Sequence, residues 1–446
     1  MNTLEQLGAR IAARPTPETS GAEHELARLH TADTVAAWVA GARTHEGQEL
    51  LSAAAMGDAG PMGEGLMSRV MLVCALTRLS EIDDIHLAAG TTPGSLIVPA
   101  ALTLSAALGN ANRGALEAAI LSGYDAMVRL GEEMGGASIL YRGIWPTYFN
   151  APFGVAAVAA SLMGLDASRC AHALGLALVT ASPNVGQQGG KMARWLLLGA
   201  AAKNGVMAAM AARQGFTADL ALLDKPFHSV YGIKIEGDRL LRGMAKSRAI
   251  LEVGFKPWCA ARQTMAAVQG LREMMKEGLD PRKIESIKVA VPPAYLAMVN
   301  HGVVPGDRSS HMTSLPYQLV LAAMAPEKMV LLDYAPSPTP PEHASLLSRI
   351  TVEADESLMS HFPRSWPARI TVKATAGGGE RLVTDIPGDP ARSFDEAQLR
   401  TKFFTVLEPR QDKASIESLC VAALGVLDAP ESATKLLKQI ENSYHH

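Results

Sequence analysis

The densest group of side chains able to move protons lies between residues 81 and 95. It contains three carboxylates and one imidazole, from Glu81, Asp83, Asp84 and His86. Carboxylate and imidazole groups are common general acids and bases in enzymes. Aspartates also cap or solvate helix ends without any catalytic role. Spacing alone leaves both interpretations open.

Two apolar helices are predicted on either side of this group. Residues 68–79 repeat apolar side chains at intervals of three and four, and a second apolar helix is expected to begin at Ser95, a suitable cap, with Pro99 in its first turns. The acidic group should therefore occupy a loop between two buried helices. Because a buried, unpaired carboxylate is costly, these side chains must find partners or face a cavity.

Several cations lie beside glycines in otherwise apolar segments. They are Arg142, Lys191, Arg194 and Lys256. Such cations can bind carboxylates, although an ion pair or an extended side chain with its charge in solvent explains any single one as well. Cations together with a base from His86, an aspartate or a lysine could remove a proton α to a carboxylate. Dehydratases, epimerases and some decarboxylating enzymes share that step.

Other chemistries lack their usual motifs. The sequence contains no P-loop, no GxGxxG after a strand, no GxSxG and no HExxH. Asp83-Asp84 invites comparison with the aspartate-rich magnesium site of helical terpene cyclases. Leu87 and Ala88 stand where a third acid is expected, and no partner helix with Asn, Ser and Glu is evident. A magnesium-dependent terpene cyclase is therefore a weaker alternative.

Composition points to small-molecule partners. The formal net charge of −3 provides no basic surface for nucleic acid and no polybasic strip for a membrane. The four cysteines lie far apart without metal-ligand spacing, which favours neither a zinc site nor a disulfide framework and makes a reducing cytoplasm the default. We find no targeting or membrane-spanning pattern.

The chain changes character near residue 254. Its 446 residues exceed one ordinary core. Residues 68–215 are predicted to be all helical, with helices over 113–134, 151–164, 166–180 and 192–214. Asp166 is a good cap for the third of these helices, and the small residues of the fourth, such as Gly199 and Gly205, should let other helices approach it closely. Beyond residue 254, the sequence predicts a strand over 284–291 and a hairpin formed by 369–374 and 381–386, with helices over 314–324 and 341–347. Residues 394–407 and 415–441 are predicted to be helical again.

We therefore predict a mainly α protein. A large all-helical domain is formed by the N- and C-terminal parts, 1–253 and 396–446, with a smaller α+β lid domain, 254–395, inserted between them.

An ordered series of motifs resembles the MmgE/PrpD family. The series starts with Glu81-Ile-Asp-Asp-Ile-His86 and Thr92-Pro-Gly-Ser95, and continues with Leu121-Ser-Gly-Tyr-Asp125, Arg142-Gly-Ile-Trp-Pro-Thr147, Gly199-Ala-Ala-Ala-Lys-Asn-Gly205, Phe255-Lys-Pro-Trp-Cys259 and Ser314-Leu-Pro-Tyr317. That family includes 2-methylcitrate dehydratase, cis-aconitate decarboxylase and iminodisuccinate epimerase. The resemblance covers nearly the whole chain.

The resemblance implies a homodimer that uses no metal or organic cofactor. It makes Asp83, His86, Lys256 and Tyr317 the candidate acid–base residues. The predicted substrate-binding set is Glu81, Asp84, Thr92, Arg142, Trp145, Lys191, Arg194 and Arg262. Arg194 stands where the family usually has lysine, and Lys191 could serve after a small shift.

Three family histidines are absent from the sequence. Thr92 replaces the histidine of His-Pro-Gly, Trp145 replaces that of Gly-x-His, and Thr264-Met265 stand where a histidine usually follows the lysine motif. The resemblance therefore implies either a less polar carboxylate substrate than 2-methylcitrate or lost chemistry. A non-catalytic ligand-binding or scaffold homologue is the alternative from a different class.

Overall fold

The protein divides into two compact units. The structure, a computed structural model, describes residues 1–13, 21–55, 65–109, 114–181, 193–224, 228–229, 232–246, 248–429 and 432–445. Unit 1 contains residues 1–255 and 394–446, and unit 2 contains residues 256–393. The protein is mainly helical and contains one small sheet.

Unit 1 is built from helices. They are α1 (Thr3–Ala13), α2 (Ala22–Ala42), α3 (His45–Ala55), α4 (Leu66–Leu79), α5 (Gly94–Leu108), α6 (Ala115–Glu133), α7 (Pro146–Leu162), α8 (Ala167–Val179), α9 (Ala193–Arg213) and α10 (Gly237–Lys246), then α16 (Glu396–Leu407), α17 (Lys413–Gly425) and α18 (Ser432–Asn442) from the C-terminal part. The two parts share a core: Trp38 of α2 is fully buried and donates its indole N–H to the Tyr444 hydroxyl at 2.8 Å.

Small residues let the central helices of unit 1 pack closely. At Gly205 of α9, a Cβ atom would lie 2.5 Å from the Pro152 carbonyl oxygen of α7. A Cβ at Gly199 would overlap the Met71 carbonyl oxygen of α4. The prediction that other helices approach this glycine-containing helix closely is confirmed.

Most predicted helices in unit 1 are present, with shifted ends. Asp166 caps α8 as predicted, accepting the Arg169 backbone N–H at 2.8 Å. Ser95 is not a cap: α5 begins at Gly94 after Pro93, and the Ser95 hydroxyl donates to the Thr92 carbonyl. Helix α7 begins at Pro146 rather than near residue 151, because proline is favoured in a first helical turn. The tail predicted to be helical over 415–441 forms two helices, α17 and α18.

Unit 2 combines a four-stranded sheet with helices. The strands are β1 (Ile284–Val291), β2 (Ile350–Ala354), β3 (Ala368–Ala374) and β4 (Gly379–Val383), in the order β2-β1-β3-β4. Strand β2 runs parallel to β1, whereas β3 is antiparallel to both β1 and β4. The predicted β1 strand and β3–β4 hairpin are confirmed, although β4 begins earlier and ends sooner than predicted. Strand β2 was not predicted, because its exposed edge lacks a continuous apolar run.

Two of the principal helices of unit 2 carry candidate residues, Arg262 and Tyr317. The principal helices are α11 (Arg262–Lys276), α12 (Leu296–Val299), α13 (Arg308–Thr313), α14 (Leu315–Met324) and α15 (Pro341–Leu347). Ser314 caps α14, because its hydroxyl accepts the Tyr317 backbone N–H at 3.4 Å. The helices predicted over 314–324 and 341–347 are confirmed.

One described helix is long and apolar enough to cross a membrane. It is the segment Trp195–Arg213 of α9, of which 56% is buried. It packs against α4, α7 and α8. Such packing is what a core helix of a soluble protein shows, so the segment is weak evidence for a membrane span.

Candidate active site

The loop between α4 and α5 is buried along most of its length. Its backbone is held by antiparallel bridges that pair His86 with Thr91 and Ile85 with Gly254. Glu81, at its start, has a φ of 57° in the left-handed region that side chains usually avoid. Such conformations persist where the surrounding contacts determine them. The predicted location of the acidic group, on a loop between two buried helices, is confirmed.

Arg78 holds the first two carboxylates of the loop. Its Nη1 atom lies 2.9 Å from Glu81 Oε2 and 3.0 Å from Asp83 Oδ1, and all three side chains are buried. The Trp195 indole N–H also donates to Glu81, at 3.3 Å. One guanidinium thus faces two carboxylates, which spares Asp83 the cost of an isolated buried charge. The sequence analysis did not single out Arg78, although it lies three residues before Glu81.

Both carboxylate oxygens of Asp84 accept hydrogen bonds from protein groups. Asp84 is fully buried, its Oδ1 accepts the Gly94 backbone N–H at 2.8 Å, and its Oδ2 accepts the Tyr124 hydroxyl at 2.7 Å. His30 Nδ1 lies 3.1 Å from the same Oδ2 atom. Burial and the adjacent Asp84 raise the pKa of Tyr124 well above its ordinary value, so the phenol remains a proton donor. Asp84 therefore anchors the loop to α2, α5 and α6.

A second buried pair supports the loop from the C-terminal part of unit 1. Lys402 Nζ of α16 lies 2.5 Å from Asp33 Oδ1 and donates to the Ile82 carbonyl oxygen at 2.9 Å. Burial raises the pKa of Asp33, and Lys402 opposes that shift. Neither the pair nor His30 was found from sequence, because no local pattern connects residues so far apart in the chain.

His86 has a defined tautomer. Its Nδ1 atom accepts the Ala89 backbone N–H at 3.0 Å, so the neutral ring carries its proton on Nε2. That nitrogen lies 3.6 Å from Glu252 Oε2 and 3.9 Å from Glu132 Oε1. The proton-bearing nitrogen thus faces two carboxylates. At Nε2, His86 can therefore donate a hydrogen bond but cannot accept one.

The same three side chains have the spacing of a metal site, but their chemistry fits one poorly. Ligand atoms of His86, Glu132 and Glu252 lie within 4.8 Å of one another. Arg129 already engages both carboxylates, at 2.7 Å from Glu132 and 2.7 Å from Glu252. A metal-ligating histidine normally donates its second ring N–H, whereas His86 accepts a hydrogen bond there. The cluster is an ion-pair network in which one arginine already holds both carboxylates.

Two residues that replace family histidines lie near these groups. Thr92 is buried, and its backbone N–H donates to the Thr147 hydroxyl at 3.1 Å, with the two hydroxyl oxygens 3.3 Å apart. Trp145 is half-buried, with the Arg78 guanidinium carbon 5.8 Å from its ring centroid. An aromatic ring and a hydroxyl thus stand where the resemblance implies titratable imidazoles.

Of the three cations predicted in unit 1, the structure describes the side chain of one, Arg142. Arg142 is exposed at the end of a short 3-10 helix, Gly136–Arg142. That helix lies against the loop, because a Cβ at Gly136 would overlap the Ala88 carbonyl oxygen. Lys191 lies outside the described residues, and only the backbone of Arg194 is described, within α9. Their binding roles stay predictions.

Unit 2 contains the other candidate residues. Lys256 is buried, at 3% exposure. Arg262 of α11 is also buried and pairs with Asp389, whose Oδ2 lies 2.5 Å from Arg262 Nη2 and accepts the Ile386 N–H at 2.8 Å. The Arg262 Nε and Nη1 atoms are buried without a hydrogen-bond partner among the described residues. Arg262 therefore has a structural partner on one edge of its guanidinium.

Tyr317 lies between two histidines that the sequence analysis did not single out. Its ring makes an edge contact with His311 at 4.6 Å between centroids and another with His343 at 5.9 Å. Burial raises the pKa of Tyr317 and lowers the pKa values of both histidines. All three groups are therefore favoured in their uncharged forms. Neither His311 nor His343 belongs to a quoted motif, so no signal in the sequence distinguished these two histidines from core residues.

Comparisons with known proteins identify the two halves of the chain. Residues 6–233 match the MmgE/PrpD N-terminal domain, and residues 258–425 match the MmgE/PrpD C-terminal domain. Cis-aconitate decarboxylase of Aspergillus terreus is 28% identical over 170 residues, covering 36% of this chain and 34% of that protein. Cis-aconitate decarboxylase-like protein oryM of Aspergillus oryzae is 28% identical over 155 residues, covering 33% and 32%. The match thus spans about a third of either relative.

Proposed function

Because this chain belongs to the MmgE/PrpD family, we propose that the protein is a lyase or isomerase of a small carboxylic acid. It acts without a metal or organic cofactor and removes a proton α to a carboxylate. The two matched domains carry the proposal, and the likeness to cis-aconitate decarboxylases favours a lyase of dehydratase or decarboxylase type.

The acid–base groups proposed in unit 1 are Asp83 and His86. His86 can donate a hydrogen bond through Nε2–H, because Nδ1 is already occupied as an acceptor. Asp83 is held in position within the loop by Arg78, whose Nη1 atom lies 3.0 Å from Asp83 Oδ1. Glu81 and Asp84 keep the loop in position, which a reactive geometry requires.

The acid–base groups proposed in unit 2 are Lys256 and Tyr317. Lys256 is buried and can bind a substrate carboxylate through its ammonium group or transfer a proton. Tyr317 remains protonated through the neutral range, since burial raises its pKa. It therefore acts first as a hydrogen-bond or proton donor.

We further propose that the preferred substrate is less polar than 2-methylcitrate. Trp145 and Thr92 stand where the family usually has histidines, which can carry charge near neutral pH. They provide an aromatic ring and a hydroxyl group instead. The site then has fewer cationic groups to pair with substrate carboxylates, and it has more apolar surface to contact an apolar part of the substrate. Arg142, Lys191 and Arg194 remain as proposed anchors, each worth ~1.5–3 kcal/mol as a charged hydrogen bond.

A substrate screen tests this proposal. The screen compares 2-methylcitrate and cis-aconitate with mono- and dicarboxylates that carry aromatic or alkyl groups, followed by deuterium exchange from solvent on any active compound. We expect a substituted acid to be turned over best, with Trp145→His shifting preference towards the tricarboxylates. Efficient turnover of 2-methylcitrate that is unaffected by Trp145→His would show that the substrate proposal is wrong.

A non-catalytic ligand-binding protein is the second candidate. It is favoured by the absent family histidines and by the ion pairs that already occupy Glu81, Asp83 and Glu252. Calorimetric binding of carboxylates without product from any acid would support it. Turnover that is abolished by Lys256→Ala would exclude it.

The magnesium-dependent alternative rests on Asp83-Asp84, whose carboxylates already contact protein groups. Among the described residues, His86, Glu132 and Glu252 also have the spacing of a metal site. Turnover of a prenyl diphosphate that EDTA abolishes and Mg²⁺ restores would replace the lyase proposal. Because Arg129 and the tautomer of His86 oppose metal binding, we expect EDTA to leave the activity unchanged.

The assembly and setting of the protein complete the proposal. We propose a cytoplasmic homodimer in which unit 2 acts as a lid. Light scattering at micromolar concentration tests the first part, with a mass near twice 47.1 kDa expected.

A further inference from the structure

The ring of Tyr317 is flanked by two imidazoles within unit 2. The centroid of the His311 ring lies 4.6 Å from that of Tyr317, with an interplanar angle of 88°. The centroid of the His343 ring lies 5.9 Å from that of Tyr317, with an interplanar angle of 69°. His311 is 1% exposed and Tyr317 is fully buried. Two imidazoles that can each hold or release a proton thus lie against one tyrosine of a family motif.

His311 is fixed in one tautomer. Its Nδ1 atom lies 2.7 Å from the Asp307 carbonyl oxygen. A carbonyl can only accept, so Nδ1 carries the proton and Nε2 carries the lone pair. A histidine whose Nδ1–H is held by a backbone carbonyl has the arrangement of an oriented general base.

The basic nitrogen of His311 lacks a partner in the part of unit 2 that the structure describes. Its Nε2 atom is buried and accepts no hydrogen bond there, and the Tyr317 hydroxyl is also buried without a partner. A buried polar atom without a hydrogen bond lowers stability, so such atoms in native proteins often serve a ligand, a water molecule or catalysis. Two of them on adjoining rings indicate a place for a polar group from outside the chain.

The charge state of His311 suits a base. Burial lowers its pKa, and the Asp307 carbonyl and carboxylate only partly oppose the shift. The ring is therefore neutral near pH 7 and its lone pair is available. Gln318 fixes the backbone of His311 by donating to its carbonyl oxygen at 3.0 Å.

We propose that His311, through Nε2, is the base that removes the α-proton in the proposed lyase or isomerase reaction, with the Tyr317 hydroxyl as the adjacent hydrogen donor. This inference deepens the proposed function and rests on it. The substrate class is an acid with a removable C–H bond next to a carboxylate. His311 thereby supplies an imidazole to a unit from which the family's usual histidine is absent.

The step balances in atoms and electrons. The Nε2 lone pair takes the proton, and the electron pair of the broken C–H bond stays on the substrate, delocalised into the carboxylate. The imidazolium then returns its proton. In isomerisation the proton goes back to the carbon; in dehydration it goes to the β-hydroxyl, which leaves as water while the C–H electron pair forms the double bond.

His343 provides a matched comparison. It is also buried against Tyr317, and its Nδ1 atom has no partner among the described residues. Unlike His311, no described hydrogen bond orients its ring. We therefore expect its ring to contribute packing rather than proton transfer.

The test uses two asparagine variants of the full chain. His311→Asn keeps a side-chain N–H that can donate to the Asp307 carbonyl oxygen and removes the Nε2 lone pair. In D₂O with 2-methylcitrate and phenylsuccinate as probes, we expect its α-proton exchange to fall at least about a hundredfold below wild type. Added imidazole should restore part of the exchange in His311→Ala, and His343→Asn should stay within about threefold of wild type.

The outcomes separate this inference from the proposed function. Wild-type exchange that His311→Asn retains overturns the role of His311 and leaves the lyase or isomerase proposal intact. Absence of exchange in wild type with every acid overturns both. Melting temperatures of the variants show whether a loss reflects unfolding.

A second measurement requires no substrate. Nitrogen NMR shifts of His311, assigned by their absence in His311→Asn, should report a neutral ring protonated on Nδ1 at pH 7. A ring protonated on Nε2 would overturn the proposal.

Discussion

Candidate acid–base groups of the two units differ in whether they have partners among the described residues. In unit 1, Asp83 is paired with Arg78, and His86 faces Glu252, which is itself held by Arg129. In unit 2, Tyr317 and His311 are buried in uncharged forms, and their reactive atoms have no partner among the described residues. Charges that are already paired stabilise a loop, whereas neutral groups with unused atoms are available for chemistry. Substitution of the anchoring carboxylate Asp84 in unit 1 should therefore affect mainly stability, and substitutions around Tyr317 in unit 2 should affect mainly proton transfer.

The largest stability loss is expected at Asp84. Asp84→Ala removes the acceptor of the Tyr124 hydroxyl and the Gly94 N–H and should lower the free energy of unfolding by ~3–5 kcal/mol. Urea denaturation measures the loss. Asp84→Asn, which retains one carbonyl acceptor, should lose less. A change below about 1 kcal/mol in the alanine variant would contradict the anchoring role.

The Arg262–Asp389 pair tests whether unit 2 also contains a structural ion pair. Arg262→Ala leaves Asp389 buried without its guanidinium and should cost ~3–5 kcal/mol, whereas Arg262→Met with Asp389→Leu should cost much less. A double-mutant cycle in urea gives the coupling. Additive losses would show that the pair contributes nothing as a pair and would leave Arg262 free for the predicted substrate contact.

A buried carboxylate of unit 1 should leave a signature in the pH dependence of stability. Burial raises the pKa of Glu117 from 4.5, although His24, 2.9 Å away, opposes the shift. Above pH 4.5 the folded state therefore binds more protons than the unfolded state, and the contribution of Glu117 to stability is lost as pH rises through its folded pKa.

Glu117→Gln isolates this contribution. Between pH 4.5 and 7, wild type should lose more unfolding free energy than Glu117→Gln, which cannot titrate at this position. Urea denaturation at matched pH values measures the difference. Parallel stability profiles for the two proteins would contradict the raised pKa.

The smallest effect is expected at an exposed carboxylate of the same unit. Asp166 caps α8 at the surface, so Asp166→Ala should cost ~1 kcal/mol, through loss of the hydrogen bond to the Arg169 N–H. Thermal denaturation is sufficient to measure it. A loss as large as that of Asp84→Ala would show that burial does not distinguish the two carboxylates.

Sequence analysis was most successful where local physics decides the result. Apolar spacing located α4 and most other helices, the Asp166 cap was placed correctly, and glycines between two runs of strand residues gave the β3–β4 hairpin. The ordered motifs identified the family that the matched domains establish. The errors in helix starts lie beside prolines: α5 begins at Gly94, directly after Pro93, and α7 begins at Pro146, and the apolar pattern alone placed both starts later.

The partners of the candidate residues were decided by tertiary structure. Asp84 meets Tyr124 and His30 from other helices, and Lys402 reaches the loop backbone from more than three hundred residues away. These contacts depend on packing between distant segments, which no local spacing records.

The sequence by itself therefore determined the helix and strand periods, the family and the types of reactive groups. Only the fold decided which of those groups are neutralised by partners and which keep an unused atom. Asp83 and His311 illustrate the difference: charge and hydrogen bonding depend on distances of a few ångströms, and such distances exist only after the chain has packed.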